Sequence, residues 1–226
     1  GIGLPSMMTL KSEGLLQRYK PKGLENIPAK YVDPEGYWTG IDVDFIGIAS
    51  NKTFLKEKGL KAPTSWEDLT KPEFAGQICI GSPATSGTGY VFLATILQVM
   101  GEEKGFDYLK ALGKNVDQYT SAGAAPAQAV GRGETMVGIA FQHDLVDAAK
   151  NTKTVQVVSP CEGTGFEIGS MSLIQGARHP EEARKFYEWA LTPNAQKVAA
   201  ANGSYQMPSN TATPDDNWSS IRRCAS

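Results

Sequence analysis

A segment at residues 80–90 carries the residue types best suited to hold a small anion. It reads IGSPATSGTGY. This pattern predicts an apolar strand, a hydroxyl-rich turn and then the start of a helix. Ser86 and Thr88 offer hydroxyl donors, Gly87 permits close backbone approach, and the first N–H groups of a helix have no intrahelical acceptor. The same pattern is equally typical of a helix that is simply capped by Ser86 or Thr85. Both interpretations stand on this segment alone.

A second turn of the same kind spans residues 119–124. It reads YTSAGA and also precedes a predicted helix. Open α/β sheets bind ligands at the carboxyl ends of their parallel strands, so the two turns are expected to converge on one ligand. Ser121, Gly123 and Ala124 therefore join Ser86, Gly87 and Thr88 as candidate binding residues.

Two further strand ends supply acceptors. His143 and Asp144 follow a strand at residues 136–140, and Glu167 closes the glycine-bracketed stretch SPCEGTGFE. Taken alone, His143 and Asp144 are more typical of a surface histidine beside a helix-capping aspartate. Glu162, earlier in that stretch, is typical of a solvated loop acid. The stretch itself is interpreted as a flexible crossing between lobes, with Glu167 pointing inward.

Catalytic motifs are missing from the chain. It has no Gly-x-Ser-x-Gly elbow, His-Glu-x-x-His helix, Walker loop or Gly-x-Gly-x-x-Gly turn after a strand. Its two histidines are His143 and His179, and His179 is explained by the start of a helix. A triad of His143, Asp144 and Ser86 is conceivable, but adjacent residues rarely orient each other as a triad requires. The sequence predicts a protein that is not an enzyme, with a hydrolase as the most remote alternative.

The elements that must position these residues alternate between short apolar strands and helices. This alternation predicts an α/β fold with largely parallel sheets. A helix is expected within residues 9–19, ending near Gly14 or Tyr19, and another over residues 87–100. A third begins at Pro180, where Phe186, Trp189 and Ala190 form the predicted buried stripe.

Composition narrows the function classes. The 226 residues are 41% hydrophobic and 20% charged, with a net charge of −2, which gives no electrostatic reason to bind nucleic acid or an anionic membrane. No apolar run has the length of a membrane span, and the opening GIGLP lacks the features of a signal peptide. A secreted protein would therefore need a signal that was removed or that lies outside this chain. Cys79 and Cys161 are expected either to form one disulfide or to remain buried thiols, and Cys224 to be unpaired.

Taken together in this order, these segments resemble type II periplasmic solute-binding proteins of ABC importers. The branch is the one with ferric-ion-, hexose-phosphate- and 2-aminoethylphosphonate-binding members. The matching segments lie at residues 14–19, 33–40, 63–69, 86–90, 124–126, 163–169 and 189–193. The resemblance implies two α/β lobes joined by a hinge, with crossings near residues 41–48 and 165–172. Residues 1–45 and 168–226 would form a discontinuous first lobe, N-terminally incomplete in this chain, and residues 46–167 the second lobe.

The resemblance also implies a ligand. Ser86, Gly87 and Thr88 would hold a phosphate, while His143, Asp144 and Glu167 would accept hydrogen bonds from sugar hydroxyls. Ferric-binding relatives carry two adjacent tyrosines where this chain has His143 and Asp144, and phenolate oxygens suit Fe(III) better than a His-Asp pair. We therefore expect the periplasmic substrate-binding component of an ABC importer that captures a sugar phosphate or another organophosphate in the interlobe cleft. It would be a monomer without a cofactor or resident metal, and it would dock on a membrane permease. A ferric-ion-binding protein of the same fold is the alternative.

Overall fold

The computed structural model of the chain describes residues 2–214 and 221. It contains ten strands among them: β1 (Ile2–Gly3), β2 (Leu16–Gln17), β3 (Thr39–Asn51), β4 (Ile78–Gly81), β5 (Val116–Thr120), β6 (Val137–Phe141), β7 (Val155–Val158), β8 (Phe166–Met171), β9 (Leu173–Ile174) and β10 (Met207–Pro208). The α-helices are α1 (Leu4–Ser12), α2 (Lys52–Glu57), α3 (Gly87–Met100), α4 (Glu102–Gly113), α5 (Ala125–Arg132), α6 (Gln142–Asn151), α7 (Pro180–Ala190) and α8 (Pro193–Ala201). None of these helices is long and apolar enough to cross a membrane.

The chain divides into two compact units. The central unit contains residues 45–166 and 221, and the flanking unit contains residues 2–44 and 167–214. The long strand β3 passes from one unit into the other, and the second boundary falls at the start of β8. The mixed α/β architecture confirms the predicted fold class.

The central unit is built on strands that are buried along their whole length. Every residue of β4 and β6 is buried, which is the pattern of strands covered on both faces. Strand β4 runs parallel to β5 and β6, whereas β3 runs antiparallel to β6 and β7. Helices α3 and α5 contact both β4 and β6. The core of this unit includes Ile46, Ile48, Trp66, Phe92 and Ile139.

The flanking unit is assembled from antiparallel pairs. Strand β1 pairs with β8, β10 pairs with the first half of β3, and β2 pairs with β9. Helix α7 contacts α8 and β9. The prediction of largely parallel sheets is therefore wrong for this unit and right only for β4, β5 and β6. Strand alternation along the sequence does not distinguish the two pairings, because their direction depends on the connections that only the folded chain reveals.

The first helix lies earlier than predicted. Helix α1 begins at Leu4 and ends at Ser12, not within residues 9–19. Pro5 stands in the first turn, where its missing N–H costs no intrahelical hydrogen bond. Gly14 has a φ of 69°, and this left-handed conformation ends the helical stretch.

The buried face of α7 differs from the predicted stripe. Phe186 is 62% exposed and Trp189 is 50% exposed, and their rings pack on each other with centroids 5.5 Å apart. Tyr187 is buried instead, and its hydroxyl donates to the carbonyl oxygen of Met171 at 2.9 Å. The apolar positions of α7 and the residues after it are compatible with two faces. The hydrogen bond made by Tyr187 and the burial of Leu191 show which of them packs inward.

The cysteines do not behave as predicted. Cys79 is a buried free thiol in β4, and Cys161 is disulfide-bonded, so neither the Cys79–Cys161 disulfide nor a pair of free thiols is present. The expectation that Cys224 is unpaired lies outside the described residues. Burial, followed by the charges of Asp117 and Glu134, raises the pKa of Cys79 to about 11.

Candidate ligand-binding site

The start of α3 is built by Ser86. This residue is 5% exposed, and its Oγ accepts the backbone N–H of Gly89 at 3.2 Å, so it caps the helix as one interpretation predicted. The cap leaves the N–H groups of Gly87 and Thr88, which have no intrahelical acceptor, at the end of the helix. Gly87 is exposed, so a ligand can reach this end. Capping and anion binding are therefore compatible here, because they use different N–H groups.

The two turns meet, as the sequence predicted. Strands β4 and β5 are parallel with Gly81 opposite Thr120, and the N–H of Ser82 donates to the carbonyl oxygen of Thr120 at 2.8 Å. The turn after β5 then lies against the first turn of α3. A Cβ added to Gly123 would overlap Thr88 Oγ1 and stand 3.8 Å from Ser86 Oγ. Thr88 is 9% exposed, so its hydroxyl lies between α3 and this turn.

Ser121, Gly123 and Ala124 differ in how open they are. Ser121 is exposed, while Gly123 and Ala124 are half-buried at the start of α5. The N–H of Ala125 is already used, because it donates to the carbonyl oxygen of Ala122 at 3.3 Å. The second turn contributes the wall beside Thr88, through Gly123.

His143 and Asp144 are the second and third residues of α6. Strand β6 leads into this helix and runs parallel to β4, with Ile139 opposite Ile80, so α6 and the turn before α3 begin at the same edge of the sheet. The His143 ring stacks on Phe141 with centroids 5.6 Å apart, and its Nε2 lies 3.5 Å from Asp144 Oδ1. Phe141 occupies the N-cap position, so the interpretation of Asp144 as the helix cap is wrong.

A groove joins Asp144 to the second turn. Ala124 and Asp144 both line a groove of about 250 Å³ between α5 and α6. Arg132 and Asp147 lie in the same groove, and Arg132 is paired with Glu134 through two hydrogen bonds of 2.6 and 2.7 Å. Eight of the predicted site residues thus lie in the central unit at the strand ends of β4, β5 and β6: Ser86, Gly87, Thr88, Ser121, Gly123, Ala124, His143 and Asp144.

Glu167, the ninth predicted residue, belongs to the flanking unit. Its carboxyl group lies over Gly3, where an added Cβ would stand 2.6 Å from Glu167 Cδ. Burial raises the pKa of Glu167, and the charges of Asp44 and Asp42 raise it further. Glu167 therefore gains a proton more readily than an exposed glutamate does.

Two further polar residues, Gln142 and Glu162, make long-range hydrogen bonds within the central unit. Gln142 is 4% exposed, and its Nε2 donates to the carbonyl oxygen of Ile46 at 3.0 Å. Glu162 is not a merely solvated acid, because its carboxylate accepts the N–H groups of Trp66 and Glu67 at 3.1 Å each. A polar residue directly after a buried strand was the signal available for Gln142. Glu162 gave no such signal, since its partners lie 96 and 95 residues away.

The chemistry of this edge suits an anion with hydroxyl groups. It presents backbone N–H groups and hydroxyls at α3, with an imidazole and a carboxylate at α6. Among residues 2–214 and 221, no group of three or more His, Cys, Asp or Glu side chains is placed to hold a metal ion. Donors at the start of α3 can bind an anion, and acceptors at the start of α6 can bind hydroxyl groups, at the same edge of the sheet.

An α/β chain of two units with polar turns at its strand ends is typical of solute-binding proteins. The family model for bacterial extracellular solute-binding proteins matches residues 3–222, and the chain belongs to that family. The resemblance inferred from the sequence is thereby confirmed.

The curated relatives are longer than this chain. An uncharacterized protein of Haemophilus influenzae is 38% identical over 204 residues, which cover 88% of this chain and 59% of the relative. A probable ABC transporter periplasmic-binding protein of Sinorhizobium fredii, y4fP, is 29% identical over 87% of this chain and 56% of its own length. The chain thus spans less than two thirds of the length of these relatives.

Solved structures agree with the fold. The periplasmic binding protein AfuA from Actinobacillus pleuropneumoniae, with fructose-6-phosphate bound, is 37% identical with a TM-score of 0.87, covering 95% of this chain and 69% of AfuA. The periplasmic binding protein P5PA is 32% identical with a TM-score of 0.82, and the match covers 92% of this chain and 67% of P5PA. The ferric binding protein of Campylobacter jejuni shares the fold. It is 22% identical with a TM-score of 0.77, and the match covers 95% of this chain and 70% of that protein.

Proposed function

We propose that this chain is the substrate-binding component of an ABC importer and captures a sugar phosphate or another organophosphate. The single observation that carries the proposal is the convergence of two turns at the start of α3, where Thr88 meets Gly123 beside the cap made by Ser86. Helix N-termini with free N–H groups and adjacent hydroxyls favour phosphate oxygens. The 37% identity to a binding protein with bound fructose-6-phosphate supports the same ligand class.

The roles of the other residues follow from their chemistry. His143 and Asp144 would accept hydrogen bonds from sugar hydroxyls. Acceptors of this kind suit the hydroxyl groups of a sugar, which inorganic phosphate does not carry. Selectivity for a phosphorylated sugar would then come from α6, and affinity for its phosphate from α3.

The remaining parts of the proposal concern location and partners. As a binding component the protein would work in the periplasm as a monomer without enzymatic activity and deliver its ligand to a membrane permease. Relatives described as periplasmic binding proteins support this setting. The hydrolase alternative has less support, because the hydroxyl of Ser86 caps α3 and adjacent residues such as His143 and Asp144 rarely orient each other as a triad requires.

Calorimetry with matched variants tests the proposal. Thr88→Val removes the hydroxyl at nearly constant volume and should weaken the binding of fructose 6-phosphate by about tenfold, the usual loss for a hydrogen bond to a charged group. Thr95→Val is the control, since Thr95 lies in the same helix and donates to the carbonyl oxygen of Val91 at 2.7 Å. Its affinity should stay within about twofold of the original.

Two outcomes would count against the proposal. Absence of binding across a panel of sugar phosphates, phosphonates and glycerol phosphates would exclude an organophosphate ligand. A coloured complex with ferric citrate, formed where the phosphate esters fail, would favour the ferric-ion alternative.

A further inference from the structure

We infer that Gln142 is a positioning residue that fixes the start of α6 and thereby the orientation of His143 and Asp144. The ligand-binding part of this inference rests on the proposed function, because it takes His143 and Asp144 to contact the ligand. The structural part concerns only the central unit and is measurable without any ligand.

The side-chain amide of Gln142 connects three strands, β3, β6 and β7. Gln142 follows β6 directly, and its Nε2 donates to the carbonyl oxygen of Ile46 in β3 at 3.0 Å and to Oγ of Ser159, just after β7, at 3.3 Å. A carboxamide with both N–H groups directed at separate acceptors has one allowed orientation. Because the side chain is 4% exposed, water is a poor substitute for either acceptor.

The backbone of β3 leaves room for this side chain by means of a glycine. Gly47 pairs with Ala140 across the antiparallel β3–β6 ladder. A Cβ added at Gly47 would stand 2.6 Å from Cγ of Gln142 and 3.3 Å from its Nε2. Any other residue at position 47 would displace the Gln142 amide, so the two positions are sterically linked.

The two residues before His143 decide where its ring lies. Phe141 is held in β6, and the imidazole stacks on its ring with an interplanar angle of 18°. Gln142, between them in sequence, ties the backbone at the first turn of α6 to β3 and β7. A shift of this turn moves His143 relative to Phe141 and moves Asp144 with it. The side chain of Gln142 thus acts on the ligand through its neighbours and not by contact.

Histidine NMR gives a direct readout. The chain has only two histidines, so the C2–H resonances of His143 and His179 are easily assigned. Gln142→Met keeps the length of the side chain and removes both donors. We expect the His143 resonance to move towards the position of an unstacked imidazole, because it loses the ring-current shift from Phe141, while the His179 resonance stays in place. The affinity for fructose 6-phosphate should fall by about tenfold.

Gly47→Ala disturbs the contact between position 47 and the Gln142 side chain from β3. It keeps the test usable if Gln142→Met folds poorly. It should shift the His143 resonance as Gln142→Met does, but add little in a Gln142→Ala background, where space for the Cβ exists. Thr164→Val is the matched control. Thr164 Oγ1 also donates to the carbonyl oxygen of Ile46, at 2.8 Å, without belonging to α6. It should leave the His143 resonance unchanged.

The inference is overturned if neither Gln142→Met nor Gly47→Ala moves the His143 resonance, or if Thr164→Val moves it equally. If the unaltered chain binds no phosphate ester, the proposed function fails, while the histidine resonances still decide the positioning role. If the unaltered chain binds fructose 6-phosphate and the Gln142 variants bind it equally well, the role of Gln142 in binding is wrong and the proposed function stands.

Discussion

The hydroxyl of Thr88 fills the space that a side chain at position 123 would need. A Cβ at Gly123 would overlap Thr88 Oγ1 and lie 3.0 Å from Thr88 Cβ. This contact holds the turn after β5 against the first turn of α3. The turn carries Ser121 and Ala124, and the helix start carries Gly87. The packing of Thr88 against Gly123 therefore sets the geometry of the candidate anion site.

Gly123→Ala should therefore separate the two turns. We expect a loss of about 1–3 kcal/mol in the free energy of unfolding, as is typical of overpacking, together with weaker ligand binding. Adding Thr88→Ala should restore part of the stability, because it removes the overlapping hydroxyl. Gly131→Ala in α5 is the control, since its nearest neighbour would be 3.8 Å away and alanine favours helices. Urea unfolding that shows equal effects for positions 123 and 131 would contradict the prediction.

Glu167 should make the stability of the chain depend on pH. Burial, with the charges of Asp44 and Asp42, raises the pKa of Glu167 above its ordinary value of 4.5. The folded chain thus holds this proton more tightly than the unfolded chain does. The stabilisation is fully present below about pH 4.5 and is lost as the pH rises through the raised pKa.

Glu167→Gln removes this ionisation. The variant should match the original chain in stability below the ordinary pKa and exceed it at neutral pH, where the original carries a charge that folding disfavours. Unfolding by urea at several pH values measures the difference. Glu25→Gln, an exposed acid of the same unit, serves as control and should give a constant difference. A Glu167→Gln variant that becomes less stable than the original chain as the pH rises from acid to neutral would show the sign to be wrong.

Asp68 should stabilise the segment before β4. Burial alone would raise the pKa of Asp68, but the hydrogen bonds from Lys71, Thr64 and Ser65 outweigh it and hold the pKa at about 2. Asp68→Ala should therefore cost about 1 kcal/mol at neutral pH, as a lost cap does. The part due to charge is present above the ordinary pKa of 3.8 and is lost as the pH falls through about 2.

Asp107→Ala is the matched control for Asp68. Asp107 forms a similar pair with Lys110 at 3.2 Å, but both side chains are largely exposed, and exposed pairs contribute little. Its effect on the free energy of unfolding should be close to zero. Equal effects of the two substitutions in chemical denaturation would show that the hydrogen bonds around Asp68 are unimportant.

Cys79 should resist alkylation until the chain unfolds. The thiol is buried, and its pKa of about 11 leaves little thiolate, the reactive form, at about pH 8. Iodoacetamide should add no group to Cys79 in the folded chain and one group once urea is present, as peptide mass spectrometry can show. Rapid labelling without denaturant would mean that β4 opens in the native state.

Part of the candidate site could be predicted because its signals are local. A helix that begins after Ser86 and ends at Met100 follows from the cap, the apolar pattern and Gly101, and the structure has it at those residues. Thr88 and Gly123 were both expected at one ligand, since parallel strands place the turns that follow them at one edge. Their direct contact was not predictable, because it depends on the register of β4 and β5.

Other features depended on contacts between distant residues. Gln142 bonds to Ile46 across 96 residues, and no pattern near position 142 indicates that partner. The prediction of the buried face of α7 was wrong for a related reason. The apolar residues of α7 fit two faces. Tyr187 lies on the buried face, where its hydroxyl donates to the carbonyl oxygen of Met171.

By itself, the sequence indicated the helix over residues 87–100, the strand near residues 136–140, the hydroxyl-rich turn before that helix and the family. Only the tertiary structure decided which strands run antiparallel, which cysteine is free and how Gln142 is held. The physical reason is range. Capping, turn formation and hydrophobic periodicity act between residues a few positions apart, whereas strand pairing and buried hydrogen bonds join residues that meet only when the chain has folded.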